Sequence, residues 1–225
     1  MAIRRLLALL RQGFEAMAYI GDNAIEVEPV ATNNLGPLAE LILPELPGCD
    51  DLMVRIKLGA ALREFCRETN ACVVTMPAKV IHNDKGYDYI YAPPAPEGMV
   101  VWSILSINNF DGTLVERGNG YVGRGIIVIG RGARDEFVNV SYSVCPKAGG
   151  EACPEWFVER YSEAITAGAM YKLLSMTGKA WSDPNRATQY GAEYADAISE
   201  ASYRSTGSQL AGGAESAVPQ GGMFM

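Results

Sequence analysis

Histidine is almost missing: the chain of 225 residues holds one, His82. A Ser-His-Asp or Cys-His mechanism then has a single possible base. That base stands in "KVIHNDKG", at the end of a strand-like run, where the simple expectation is a solvent-facing turn residue. There is no H-E-x-x-H, no histidine cluster and no carboxylate loop of the calcium-binding kind, so no dedicated metal site is expected. The five cysteines, 49, 66, 72, 145 and 153, are odd in number and form no C-x-x-C pair. This argues against a disulfide framework and a zinc site, and for reduced, mostly buried thiols. Long hydrophobic runs are missing too. No stretch approaches the ~20 apolar residues that span a bilayer, and Leu6-Leu7-Ala8-Leu9-Leu10 is cut off by Arg11 before it could act as a signal core. A cytoplasmic site of synthesis follows. A surplus of positive charge is missing as well: Lys and Arg number 19 against 26 Asp and Glu, net −7. That balance argues against gripping nucleic acid through its phosphates. It does not prevent DNA from sliding through an acidic lumen.

Two glycine patterns suggest nucleotide sites and fail on their context. In "GAMYKLLSMTGKAWSDP", 168–184, Gly178-Lys179 would be the end of a phosphate loop, but Leu173 stands where the first glycine belongs and Ala180 where Ser or Thr would hold magnesium. A joint between helices explains more of the residues. Gly178 suits a left-handed helix end, Lys179 suits its negative pole, Trp181 lies in the joint, and Asp183-Pro184 starts the next helix. The run "GNGYVG", 118–123, satisfies G-x-G-x-x-G, but the strand-like "RGIIVIG" follows it where the dinucleotide fold needs a helix. A mobile hairpin or strand-edge loop is expected there, with a small nucleotide-binding or hydrolytic enzyme as the alternative it leaves open. Asp111-Gly112 is a turn pair.

What is present is patterning. Ile3, Leu6, Leu7, Leu10, Phe14 and Met17 share one helical face, predicting an amphipathic helix over 3–17; it could pack on its own domain, on a partner or on a membrane. A polar linker is expected from there to Gly36. A helix is predicted over 51–69, with Val54, Leu58, Ala61, Leu62 and Phe65 inward and Lys57, Arg63, Glu64, Arg67 and Glu68 outward. From 71 to 144 the period changes to five short runs rich in β-branched and aromatic residues, "CVVTMPAKVI", "YDYIYAP", "MVVWSILSI", "GIIVIG" and "FVNVSYSV", read as antiparallel strands. Helices return from Cys153-Pro154-Glu155 to about Thr177, and from Asp183 to about Gly207. Small side chains in "AITAGAM" predict close antiparallel packing of that pair. The three tryptophans, Trp102, Trp156 and Trp181, are expected mostly in the core; Trp181, in the joint, is the best candidate for exposure, with burial favoured even there. The tail "GSQLAGGAESAVPQGGMFM" is too poor in apolar surface to order itself, yet ends in Met223-Phe224-Met225.

The expected fold class is therefore α+β: a helical bundle of three to four helices, with an antiparallel β-sandwich or small barrel inserted between the second and third. The expected divisions are 1–34, an N-terminal helix and linker; 35–70 with 151–206, the helical domain; 71–150, the β domain; and 207–225, a flexible tail.

Three stretches taken in order resemble one family. "PLAELILPELPGCDDLMVRIKLGAALREFCRET", then "PEGMVVWSILSINNFDGTLVERG", then "CPEWFVERYSEAITAGAMYKLLSMTGKAWSDPNRATQYGAEYADAISEA" are similar to the head-to-tail adaptor proteins of tailed bacteriophages, across about Leu35 to Ala201. The resemblance implies a structural virion protein of the neck, with no catalytic activity and no cofactor. It implies a ring, usually of about twelve copies, joining the portal to the next tail component, a nozzle or tail tube, with DNA as passing cargo and no membrane. It also implies that the tail, about Thr206 to Met225 and including Leu210, Met223, Phe224 and Met225, reaches into the portal. Residues 1–34 lie outside the match.

Overall fold

The computed structural model describes residues 17–20, 23–26, 32–33, 35–82, 88–92, 94–115, 117–122, 126–129, 133 and 136–210, with side-chain surroundings for those within 35–115 and 126–205. Its architecture is α+β: four helices among the described residues and a curled antiparallel sheet, half of a barrel. The predicted helix over 3–17 falls outside the described residues except for Met17. That residue opens β1 (Met17–Ile20), which pairs antiparallel with β2 (Asn23–Glu26), Met17 opposite Glu26 and Ile20 opposite Asn23. Strand β3 (Thr32–Asn33) follows. The stretch expected to be a featureless linker thus holds strands, two apolar runs, Met17–Ile20 and Ala24-Ile25, on either side of the turn-favouring residue types Gly21-Asp22-Asn23.

A helix not anticipated as a separate element, α1 (Gly36–Ile42), starts with proline in its first turn and passes into a 3-10 turn over Leu43–Glu45. Helix α2 (Asp51–Thr69) matches its predicted bounds. Its inward face, Val54, Leu58, Ala61, Leu62, Phe65 and Cys66, is wholly buried. The Nε of Arg55 donates to Asp51 at 2.8 Å in the first turn, an i,i+4 pair of the kind that supports a helix surface. Its end is set by Asn70, which takes the left-handed conformation at φ 50° while its N–H bonds to the Cys66 carbonyl at 3.1 Å. Asn tolerates that region better than most residues.

The sheet holds six strands where five were expected: β4 (Val73–His82), β5 (Asp88–Tyr91), β6 (Met99–Asn108), β7 (Arg117–Val122), β8 (Ile126–Ile129) and β9 (Phe137–Pro146), in the order β6-β9-β4-β5-β8-β7. Every pairing is antiparallel. The additional strand, β7, contains "GNGYV", so most of the glycine run lies in a strand at the sheet edge and not in a loop. Strand β9 is buried continuously from Val140 to Pro146 because α2 packs across it. Its buried hydroxyls are paired: Ser141 with Thr75 at 2.9 Å, and Ser143 with Asn70 and Ser103, each at 2.9 Å. A short strand β10 (Cys153–Pro154) pairs with β3.

Helices α3 (Glu155–Leu174) and α4 (Pro184–Leu210) form the most extensive helix contact. Gly168 explains how close they come: a Cβ there would lie 2.6 Å from the Tyr194 ring, and the Tyr194 hydroxyl continues to the Ala61 carbonyl at 2.7 Å. Helix α3 ends at Leu174, short of Thr177, and α4 runs on through Gly207 to Leu210, past the predicted stop. Phe65 lies at the meeting point of three helices, its ring centroid 6.1 Å from Phe157, 5.0 Å from Tyr161 and 6.2 Å from Tyr194.

Candidate functional site

The outward surface of α2 carries the most unusual arrangement. At 100° per residue, Leu52, Ile56, Ala60, Arg63 and Arg67 fall on one stripe. Leu52 is 62% exposed and Ile56 54%, while Arg63 and Arg67 are half-buried. Among the described residues, no acidic group forms an ion pair with either arginine, and their Nε–H groups are buried without hydrogen-bond partners. The Arg67 guanidinium lies 4.0 Å from the centroid of the Trp102 ring, which is itself 44% exposed. This placement follows from the end of α2. Asn70 Oδ1 accepts from the Ser103 hydroxyl at 2.9 Å, fixing β6 beside the last helical turn, so the neighbouring Trp102 covers Arg67. Under this surface Cys145 is buried; burial raises its thiol pKa, against which the Arg63 and Arg67 charges pull.

Helix α4 presents the opposite chemistry. Glu193, Asp196 and Glu200 lie on its outward side, at least 100° round the helix from the inward-facing Tyr194, and Tyr203 continues that side at 82% exposure. Glu200 pairs with Arg204, whereas Glu193 receives only a hydrogen bond from Gln189, at 3.2 Å. Between α3 and α4 a groove of about 410 Å³ is lined by alanines of both helices and by charges of both signs, Glu163, Glu193 and Glu200 with Arg160 and Arg204.

The helix joint forms as a structural device. Asp183 Oδ1 accepts the backbone N–H groups of Asn185 and Arg186, each at 3.1 Å, which caps α4, with Pro184 at its first position. Gly178 has φ +75°, the left-handed form expected, but it lies in the connecting turn beyond Ser175, which caps α3 with a right-handed backbone. Lys179 correspondingly sits 5.8 Å over the Trp181 ring, not at the helix end. Trp181 is half-buried, and its indole N–H is buried without a partner. Trp181 is thus largely covered, as favoured, because the joint folds back on Leu174, whose carbonyl receives the Asp183 N–H at 3.1 Å; Trp102 and Trp156, expected in the core, are the exposed tryptophans. Arg186 ties this end to the 3-10 turn through Glu45 at 2.6 Å.

The thiols cluster around Cys72, and His82 lies apart from them, paired with Asp88. His82 is exposed, with Nδ1 3.0 Å from Asp88 Oδ1. Asp111 Oδ1 receives the Thr113 N–H at 2.8 Å, closing the anticipated turn. Cys66, Cys72, Cys145 and Cys153 are buried free thiols. Hydrogen bonding to the Cys72 sulfur, together with burial, pushes Cys66 and Cys153 well above the ordinary thiol range. The same two hydrogen bonds pull Cys72 itself down to about 5; Cys66 and Cys153, held protonated, are poor nucleophiles and poor metal ligands, and no group of three or more His, Cys, Asp or Glu among the described residues is arranged to hold a metal ion. No described helix is long and apolar enough to cross a membrane.

Of the residues singled out for the tail, Leu210 ends α4 and Met223, Phe224 and Met225 lie outside the described residues. The α2 stripe was overlooked in the sequence because Arg63 and Arg67 read as an ordinary solvated face. The signal was available: Leu52 and Ile56 continue that same face at i, i+4 spacing. No family model matches the chain, and no curated protein is significantly similar to it.

Proposed function

We propose that this chain is a structural virion protein that forms a ring, of about twelve copies as in the adaptors it resembles, joining the portal of a bacteriophage head to the next tail component while DNA passes through the centre. In this reading it works in the particle neck after synthesis in the host cytoplasm, and it is not an enzyme. The finer architecture belongs to the same reading: a helical bundle interrupted by an inserted β-sandwich or small barrel, the helices lining the ring and the β part meeting neighbours or the tail. The segment 206–225, with Leu210 and the apolar tip Met223-Phe224-Met225, enters the portal.

The observation that carries this reading is the spread of large apolar side chains left in solvent on separate elements: Leu52 and Ile56 on α2, Trp102 on β6, Phe110 and Leu114 beyond it, and Tyr203 on α4. Exposed apolar and aromatic groups in quantity mark surfaces that other polypeptides cover. The ordered sequence resemblance supplies which polypeptides. Imaging of purified particles tests it: a ring of this chain between head and tail is expected, and its absence from the neck overturns the reading. Deletion of 206–225 is expected to abolish capture by portal complexes, and undiminished capture overturns the tail assignment. ATP and NAD are expected to leave the melting temperature unchanged; a clear rise would favour the enzyme alternative by mass action.

A further inference from the structure

Two surfaces of this chain carry charge that the chain itself leaves unmatched. One is the α2 stripe, apolar at Leu52 and Ile56 and basic at Arg63 and Arg67, with Trp102 over the basic end. The other is the outward side of α4, acidic at Glu193 and Asp196 and aromatic at Tyr203. They cannot meet within one copy. The hydrogen bonds from α4 to α2 go to the carbonyls of Ala61, Glu68 and Thr69, from Tyr194, Ser202 and Ser205, and these positions, like Phe65 against Tyr194, lie on the other side of α2 from the stripe. On α4, Glu193 and Asp196 lie about 100° and about 160° round the helix from Tyr194, which reaches to α2, with Glu193 bordering the groove against α3. The two surfaces therefore face different neighbours.

We propose that they face each other across two copies: the α2 stripe of one copy packs antiparallel on the outward side of α4 of the next. Order and spacing both fit. At 1.5 Å per residue, the apolar and basic ends of the α2 stripe are roughly 16 Å apart, and the acidic pair and Tyr203 on α4 roughly 13 Å. Antiparallel alignment sets Arg63 and Arg67 against Glu193 and Asp196, and Leu52 and Ile56 against Tyr203. Parallel alignment would set the charges against apolar groups. Half-buried arginine beside an aromatic ring is the kind of composition that interface centres are enriched in. The contact joins unlike surfaces, so each copy keeps one of each free and the association propagates until a rotation closes it. The assignment of faces rests on the ring reading above; the charge pattern does not.

The test is sedimentation velocity on the full chain at high concentration and low salt. The wild type is expected to associate, with association weakening as salt rises. R63E/R67E and E193K/D196K are each expected to lose association by about tenfold or more, while an equimolar mixture of the two regains it, because every contact then pairs opposite charges again. Melting curves check that each variant folds. Glu193, Asp196 and Tyr203 are exposed, so E193K/D196K and Tyr203→Ala still decide the matter if the arginine variant does not fold. A wild type that stays monomeric, single-face variants that associate as before, or a mixture that does not regain association would overturn the proposal. So would reversals that block portal capture and leave self-association intact. None of these outcomes removes the chain from the particle neck, and its absence there would sink the functional reading whatever sedimentation shows.

Discussion

The seam between α3 and α4 and the outward stripe of α2 are both helix surfaces with apolar and polar groups in register, yet one is closed within the chain and the other is not. At the seam, Gly168 leaves room for Tyr194, whose hydroxyl finds a carbonyl on α2, and Phe65 is enclosed by rings from α3 and α4. On the stripe, Leu52 and Ile56 stand in solvent and two guanidiniums lack acids. The contrast separates two kinds of demand on one sequence. The seam residues are chosen to hold the fold together, the stripe residues to suit something outside it.

If that division is right, substitutions at the seam should cost stability and substitutions on the stripe should not. The largest loss is expected for Phe65→Ala, about 3–5 kcal/mol, from the lost burial plus a cavity among three rings that cannot collapse onto one another. Urea unfolding measures it. A loss below about 1 kcal/mol would mean that the three helices do not share one core.

Gly168→Ala comes next, and its sign is informative. On an open helix surface this change stabilises by up to about 1 kcal/mol through helix propensity. Here the added methyl would meet the Tyr194 ring at 2.6 Å, so a loss of about 1–3 kcal/mol is expected from overpacking. Tyr194→Leu in the same chain should recover part of it. A stabilised Gly168→Ala variant would show that α4 can move away, and the seam would then be no tighter than the stripe.

The seam was legible in the sequence and the stripe was not, for a physical reason. "AITAGAM" announces close approach through its small side chains, and the face Ala187, Tyr190, Tyr194, Ile198 and Ala201 supplies the partner, so local pattern was enough. Asp183-Pro184 likewise carried the α4 cap. The stripe gains its meaning from Trp102, distant in sequence and brought over Arg67 only because Asn70, left-handed at the end of α2, ties Ser103 and Ser143 to it. No periodicity reports such a contact. Element ends failed similarly. Glycine is the usual left-handed residue, which makes Gly178 the expected cap of α3, whereas α3 closes at Ser175 and the glycine serves the turn that follows. Paired Thr75 and Ser141 hydroxyls, and the covering of both faces of β9, depend on strand order, which short alternating runs leave open.

A smaller effect distinguishes the hydroxyl of Tyr194 from its ring. Tyr194→Phe is expected to cost about 1 kcal/mol near neutral pH, the worth of one hydrogen bond, now missing to the Ala61 carbonyl. Its pH dependence has a fixed sign. Burial, with Glu64 nearby, raises the Tyr194 pKa, and burial pushes Tyr142 up to about 12. The folded state thus holds these protons more tightly than the unfolded chain. The stabilisation is complete below the unfolded tyrosine value of about 10 and is lost as pH rises above it. The gap between wild type and Tyr194→Phe should narrow above that pH, because the variant has one fewer buried phenol to ionise. Denaturant midpoints across the alkaline range measure this, and a constant gap would place the hydroxyl in solvent.

The smallest expected effect is the one that isolates the stripe. Leu52→Gln and Ile56→Gln replace exposed apolar side chains with a good helix former, so the free chain should change by no more than about 0.5 kcal/mol. An equal pair of changes at Leu58 and Leu62, one face away on the same helix, should cost several times that, since both are wholly buried and an unpaired amide in the core adds its own desolvation. Helix propensity differs between the two pairs only by the Ile-to-Leu step, roughly a few tenths of a kcal/mol, so the difference in melting reads mainly the burial of the replaced side chains. A loss of 2 kcal/mol or more at Leu52 or Ile56 would mean that some part of the same chain already covers the stripe, and α2 would then have no outward face to offer a partner.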